Sequence, residues 1–436
     1  MSLRRKGLVL AMEMDGEEEE VMVDGTEAME EMESATDEAE EHATDVEELG
    51  DAVEDTVEDS DTLERIKDTM EGSLEDGDGL SESAAEIAEV AVESICARLG
   101  INHSNVMPAM ESFGSTSSRA TATRIAIESI GEAISKAWKA IVAAIVNSWD
   151  YIKKLVTGLF KAADALDGYN KKLLERADKL TGEVDKAELE KTSLAKYLSV
   201  DGKAGLDTVS TLLERSSSFM SLSGNVSKSS ETLAAELAVK NIAEFDPKKQ
   251  VSGLDKVFDK LLNTVESSIK GTDETTETGT VTTRIVKLKP LSGTMTYSIK
   301  VVSDSDNGSV AISLDNESVD SKVEKIAALS KDDIQKLLGL TATSIKQLMA
   351  DKDTQKKYEK VGKTLKDAST SILKSTEKAE DGSNTKKAYA SLRKSVTSLN
   401  TFSTKVAAKA PSQCIKTIKY AQSYATASMG NMKAAS

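Results

Sequence analysis

The spacing of apolar residues divides the chain into stretches of different period. From Ile130 through Ile134, Trp138, Ile141, Ile145, Trp149, Ile152, Leu155 and Leu159 the step is three or four, which lays one apolar stripe along a long helix. Lys136, Lys139, Lys153 and Lys154 fall between these positions. Two readings stand for this helix: a core helix of the body, or a membrane-surface helix, for which Trp, Ile and Lys are the usual ingredients. Charges interrupt it too often for a transmembrane span, and no stretch of the chain reaches the length one needs. A Ser/Thr-rich lead, Ser115 to Thr123, comes before it. Helical texture continues over about 168–198, 204–221, 227–244 and 251–270, broken at Asp246-Pro247. It resumes after Ser318 over about 319–350, 352–380, 385–409 and 412–430, with Gly382-Ser383-Asn384 and Pro411 as separators.

Between these helical runs the period falls to two. Thr280 to Lys289, Thr294 to Ser303 and Ser309 to Leu314 alternate Val, Ile, Thr and Tyr with polar residues. Leu291-Ser292-Gly293 and Asp304 to Gly308 join them, so a three-stranded antiparallel meander at about 280–315 is predicted as an insert in the helical body.

Residues 13–80 have little apolar pattern. Glu, Asp, Met, Ala, Thr and Gly dominate, and charge of one sign with few aliphatic residues predicts a largely disordered segment. Val53, Val57 and Leu63 recur loosely at helical spacing, enough for transient helix between Val46 and Met70. Residues 81–100 make a better helix: Ser81 or Ser83 as cap, Ile87, Val90, Val92 and Ile95 as apolar positions, and Gly100 at the end. The fold class expected is mainly α, a multi-helix body with a small inserted antiparallel β meander, preceded by the largely disordered acidic segment.

Charge sharpens this division. Residues 1–111 hold 35 Asp and Glu against 6 Lys and Arg, a net of −29, while residues 112–436 hold 39 against 49, a net of +10. The overall −19 describes neither part. From Gly382 to the C-terminus there is no Asp or Glu, yet Lys386, Lys387, Arg393, Lys394, Lys405, Lys409, Lys416, Lys419 and Lys433 are present. These basic residues form either a solvated helix face or a face for phosphates or another polyanion.

Candidate chemistry narrows the field by exclusion. The two histidines, His42 and His103, both precede residue 112, so the body has no His-based triad, metal site or proton shuttle. Cys96 and Cys414 make neither a disulfide framework nor a zinc pattern, and a reducing compartment is the simplest reading. No phosphate-binding loop, nucleophile elbow or zinc-protease helix motif is present. The acid run Glu17 to Glu20 lacks the turn glycine and spacing of a calcium loop. The first twelve residues do not read as a secretion signal. We expect no cofactor, no metal and no enzymatic activity.

The charge changes sign at Pro108-Ala109-Met110-Glu111-Ser112-Phe113-Gly114. Ala109-Met110-Glu111 followed by Ser112 resembles the Ala/Ser-x-Glu cleavage sites of prohead proteases in phiKZ-like giant tailed phages. Ala11-Met12-Glu13, Ala28-Met29-Glu30, Ala52-Val53-Glu54, Ala91-Val92-Glu93, Ala126-Ile127-Glu128 and Ala234-Ala235-Glu236 share the short motif, but Glu111 alone among them sits where the charge changes sign, between Pro108 and Gly114. With an acidic N-terminal part and a Lys-rich helical body, the layout of the whole chain is similar to the internal head proteins of those phages. The resemblance implies a propeptide, residues 1–111, that directs packaging and is cut off after Glu111. It implies a mature protein, residues 112–436, held inside the head with the DNA and in some relatives ejected into the host. The implied partners are the prohead protease, capsid or other internal head proteins and non-specific double-stranded DNA, with the host cytoplasm as the site of assembly. The alternative is a cytoplasmic helical scaffold or adaptor with a permanent acidic tail.

Overall fold

The computed structural model describes residues 23–75, 77–102, 106–180, 183–239, 246–350, 352–378 and 384–432. The N-terminal apolar run, Ala11-Met12-Glu13, Glu17 to Glu20, His103, Gly382, Ser383 and Lys433 lie outside them. The helical expectation is met. The elements are α1 (Val23–Glu75), α2 (Glu82–Arg98), a 3-10 turn (Met110–Phe113), α3 (Thr116–Asp178), β1 (Glu188–Leu189), α4 (Thr192–Tyr197), β2 (Ser199–Val200), β3 (Lys203–Ala204), α5 (Leu206–Val239), α6 (Pro247–Leu262), β4 (Lys270–Thr278), β5 (Val281–Leu288), β6 (Met295–Asp304), β7 (Ser309–Ser318), β8 (Ile326–Ala327), α7 (Lys331–Ala350), α8 (Lys352–Lys378) and α9 (Asn384–Gly430).

Helix α9 is the axis of the fold. From Leu399 to Ala408 every residue is buried, so this stretch is covered on all sides. Its many Ser and Thr side chains suit such a place because they return their hydroxyl protons to the carbonyl one turn back, as Thr397 does to Arg393 and Thr417 to Gln413. Others bond across helices. Asn400 accepts from the Trp149 indole at 2.9 Å, Ser403 meets Ser230 of α5 at 2.7 Å, and Gln422 donates to the Leu166 carbonyl of α3 at 3.0 Å. Pro411, expected to separate two helices, lies inside α9. Packing on several sides outweighs the roughly 3 kcal/mol that an interior proline costs.

The stripe of α3 is a core stripe: Ile130, Trp138, Ile141, Ile145, Trp149, Ile152, Leu155 and Leu159 are all buried. The membrane-surface reading therefore fails for the folded chain, and no described helix is long and apolar enough to cross a membrane. The Ser/Thr-rich lead is the first turns of this same helix, which then runs unbroken to Asp178. Two expected helices, at 204–221 and 227–244, are one, α5, as far as Val239; 240–244 lie outside the described residues. The one expected at 168–198 is instead the end of α3, a loop carrying β1, and the short α4. Asp201-Gly202 makes a two-residue hairpin between β2 and β3, both residues with positive φ, as this kind of turn requires. Asp246 caps α6 by accepting from the Lys249 amide, with Pro247 in the first turn.

The sheet is antiparallel, in the order β4-β5-β6-β7, one strand more than expected. The extra strand is β4, KGTDETTET, which is exposed along nearly its whole length and shows no alternation to read. β7 would be an open edge, but α9 covers it. Ser395 and Ser398 accept hydrogen bonds from the Val310 and Ile312 amides at 3.2 and 3.3 Å.

The larger departure is at the N-terminus. The acidic segment expected to be largely disordered is a 53-residue helix, α1, from Val23 to Glu75. Met32, Ala39, Val46, Val53, Ser60 and Lys67 recur every seven residues, and Thr36, Ala43, Gly50 and Val57 fall four after the first four of them. All are buried, which makes a heptad seam. Most of its residues are small or polar, so a search for bulky apolar positions passes over it. Small side chains let α1 lie close to α3: a Cβ on Gly158 would stand 3.7 Å from the Ala39 Cα. Helix α2 begins at the expected Ser81 cap and is followed by Gly100 at positive φ; of its four apolar positions Val92 and Ile95 are buried, while Ile87 and Val90 are exposed.

Candidate functional site

The basic residues of α9 and the acidic residues of α1 face each other along two antiparallel helices. Lys419 pairs with Asp37, Lys416 with Glu40, Lys409 with Glu47, and Lys405 with Asp51 and Glu54. Farther along, Lys394 pairs with Asp61 and Arg393 with Glu64. Steps of three, seven and four residues along α1, from Asp37 to Glu40, Glu47 and Asp51, match equal steps back along α9. The register is thus set jointly by the seam and the ion pairs. At the far end, Lys386 and Lys387 lie near Asp68, whose carboxyl they pull down against a larger upward push from burial.

Burial grades this row. The side chain of Arg393 is 5% exposed and that of Lys405 11%, while those of Lys416 and Lys394 are 40% and 47% exposed. Arg393 also rests on Trp138 of α3, its guanidinium carbon 4.4 Å from the ring centroid. Burial pushes the Arg393 guanidinium down to about 9, with Asp61 opposing. Burial likewise pulls Lys405 down, but Asp51 and Glu54 more than offset it, and its ammonium ends above its ordinary value. Asp61 is raised by burial, against the pull of Lys394 and Arg393. Half-exposed pairs such as Lys416–Glu40 contribute little, about 0–1 kcal/mol each. The enclosed ones matter more, because losing a carboxylate while α1 stays docked would leave a buried cation without its partner.

All eight sequence-predicted basic residues, Lys386, Lys387, Arg393, Lys394, Lys405, Lys409, Lys416 and Lys419, thus lie on the side of α9 that meets α1. The acidic counterparts on α1 were not singled out in the sequence. The signal that would have found them is the heptad phase, since most flank the seam. An open groove of about 1090 Å³ between α1, the sheet and the start of α9 has Glu58, Asp61 and Asp68 on one wall and Lys300, Lys386 and Lys394 on others. No group of His, Cys, Asp and Glu able to hold a metal occurs among the described residues.

The junction is ordered. Ala109, Met110, Glu111 and Ser112 enter a single 3-10 turn in which the Ser112 amide donates to the Ala109 carbonyl at 2.9 Å. Phe113 is fully buried and anchors it, and Ser118 donates to the Ser112 carbonyl at 2.7 Å. Ala109 and Glu111 remain exposed. The other Ala-x-Glu triplets in the described residues lie in α-helices: α1 contains those ending at Glu30, Glu41 and Glu54, α2 those at Glu86 and Glu93, α3 that at Glu128, and α5 that at Glu236. Ala39-Glu40-Glu41 and Ala84-Ala85-Glu86 thus join the six triplets named above as carriers of the short motif.

Comparison with known proteins agrees with the layout. No curated protein and no solved structure matches the chain. Residues 9–427 match the family model of the phiKZ-like phage internal head proteins. With a match running nearly from end to end, the chain belongs to the phiKZ-like phage internal head protein family, whose members reside inside the phage head.

Proposed function

We propose that this internal head protein is matured by cleavage after Glu111, and that the basic side of α9 then meets the packaged DNA. The observation that carries the reading is the register of α1 on α9: the acidic segment covers the very cations that would otherwise draw phosphates. A body of net +10 made in a cell full of nucleic acid would bind it without specificity. With α1 in place the chain carries net −19 and those cations are already paired. Glu111 fits the role of cleavage site because it is exposed and outside any α-helix, and proteases act on chain they can extend. The partners on this reading are the prohead protease, neighbouring head proteins and duplex DNA. The cytoplasmic scaffold with a permanent tail gives way to membership of a head-interior family.

Mass spectrometry of protein from mature particles tests the cleavage. The expected N-terminus is Ser112, and Glu111→Gln should leave the chain uncut. Intact chain in wild-type particles would overturn the reading.

A further inference from the structure

Helix α2 is amphipathic on the wrong side. Ala85, Val92, Ile95 and Cys96 face the core, yet Ile87 is 75% exposed and Val90 66% exposed. Among the described residues the other large apolar side chain exposed to this degree is Ile125, at 49%. Ser83, Ile87, Val90, Ser94 and Ala97 step by four and three along α2 and are all exposed, so they form one stripe of small and apolar side chains on the outer face. Glu82, Glu86 and Glu93, also exposed, line one side of it. An apolar stripe with an acidic border suits a partner that is apolar and basic. We infer that this face receives residues 3–12 of a second copy, joining uncut chains head to tail. The inference does not rest on the cleavage proposed above.

Charge selects the occupant. Arg4, Arg5 and Lys6 are half of the basic residues before residue 112, and the apolar run Leu8-Val9-Leu10-Ala11-Met12 follows them directly. The other three are engaged: Arg65 with Thr62, Lys67 with Glu71 and Arg98 with Asp59. A second α2 is a poorer occupant, because it would bring its own Glu82, Glu86 and Glu93 to the contact. Reach decides between the same copy and another. Arg98, at the end of α2, meets Asp59, and Gly79, just before α2, donates to the Ser73 carbonyl. Helix α2 thus lies along the last turns of α1, beyond Asp59. The helix from Val23 to Asp59 is about 54 Å long, and Ile87 lies farther still, more than about 60 Å from Val23. Fully extended, the chain from Leu8 to Val23 covers at most about 54 Å, and from Met12 about 40 Å. The run therefore falls short of its own α2. Run and face sit at opposite ends of α1, so the contact is heterologous and each joined pair keeps one of each for a further copy. Both precede Glu111, which confines the contact to the uncut chain.

The test is analytical ultracentrifugation of uncut full-length protein at rising concentration. Mass should grow past that of a dimer. The variant I87S/V90S changes only exposed side chains of α2 and should weaken association by about tenfold or more, and L8S/L10S should do the same from the other half. Mixed, the two variants should form a dimer and stop there, since one intact run and one intact face remain between them. A zero-length cross-linker applied to a mixture of isotopically light and heavy chains should join Lys6 of one copy to Glu86 or Glu93 of another. Protein that stays monomeric throughout, or association that survives I87S/V90S, would overturn the inference. So would L8S/L10S protein that associates as wild type does, which would mean that something other than the N-terminal run covers the face.

Discussion

The ammonium of Lys405 lies 2.8 Å from the Oδ1 of Asp51, joining two residues from the opposite ends of the chain on facing helices. The Lys405 side chain is mostly enclosed, while that of Asp51 is largely exposed. The cation is therefore the member of the pair that depends on the contact, with Glu54 on its other side at 3.1 Å. Lys405→Glu should loosen α1 without disturbing the sheet. Hydrogen exchange should show faster exchange over 23–75, equivalent to a loss of about 1–3 kcal/mol of local protection. Unchanged protection would mean that the seam alone holds the helix.

An isolated peptide of residues 1–111 should lack the α1 helix. Its order in the full chain comes from the groove between α3 and α9, and a lone chain of net −29 has nothing to neutralise it. Circular dichroism of the peptide should show little helix. A helical signal equal to that of 53 residues would show that α1 is stable alone.

Two glycines in helices should respond oppositely to alanine. At Gly362 of α8 a Cβ would stand 2.4 Å from the Trp149 Cγ, so Gly362→Ala must push the ring or the helix away and should cost about 1–3 kcal/mol. At Gly339 of α7 a Cβ meets nothing within 4 Å, and Gly339→Ala should gain about 0.5–1 kcal/mol from helix propensity. Thermal unfolding of the two variants should move the melting temperature in opposite directions.

Acid should weaken the exposed hairpin of β4 and β5. Arg284 donates to both Asp273 oxygens, at 2.9 and 2.8 Å, and with Lys270 holds that carboxyl well below its ordinary value of 3.8. A lowered carboxylate pKa stabilises the folded state above the unfolded value, and the contribution fades as pH falls through the folded one. Wild type should therefore exceed Asp273→Asn in stability at neutral pH by about 1–2 kcal/mol. The gap should begin to narrow only below about pH 4. A gap that widens in acid would contradict the pairing.

Much of the fold could be read from the chain because the signal was local. The α3 stripe, the Ser81 and Asp246 caps, the alternation in β5 to β7 and the acid-free run after Gly382 each follow from residues a few positions apart, and each has its counterpart in the structure. So did the candidate basic residues, as a row of charges with no neutralising neighbour in sequence. What the sequence could not decide by itself was what lies across from that row. Order in α1 depends on Lys405, Lys409 and Lys419, more than 350 positions away, and on a seam in which Ala, Gly, Ser and Thr alternate with a few Val and Met and which buries well only against a fitted partner. Pro411 within α9 and the polar strand β4 have the same cause. Their local preferences are weak or contrary, and contacts distant in sequence supply the difference, which only the folded chain brings together.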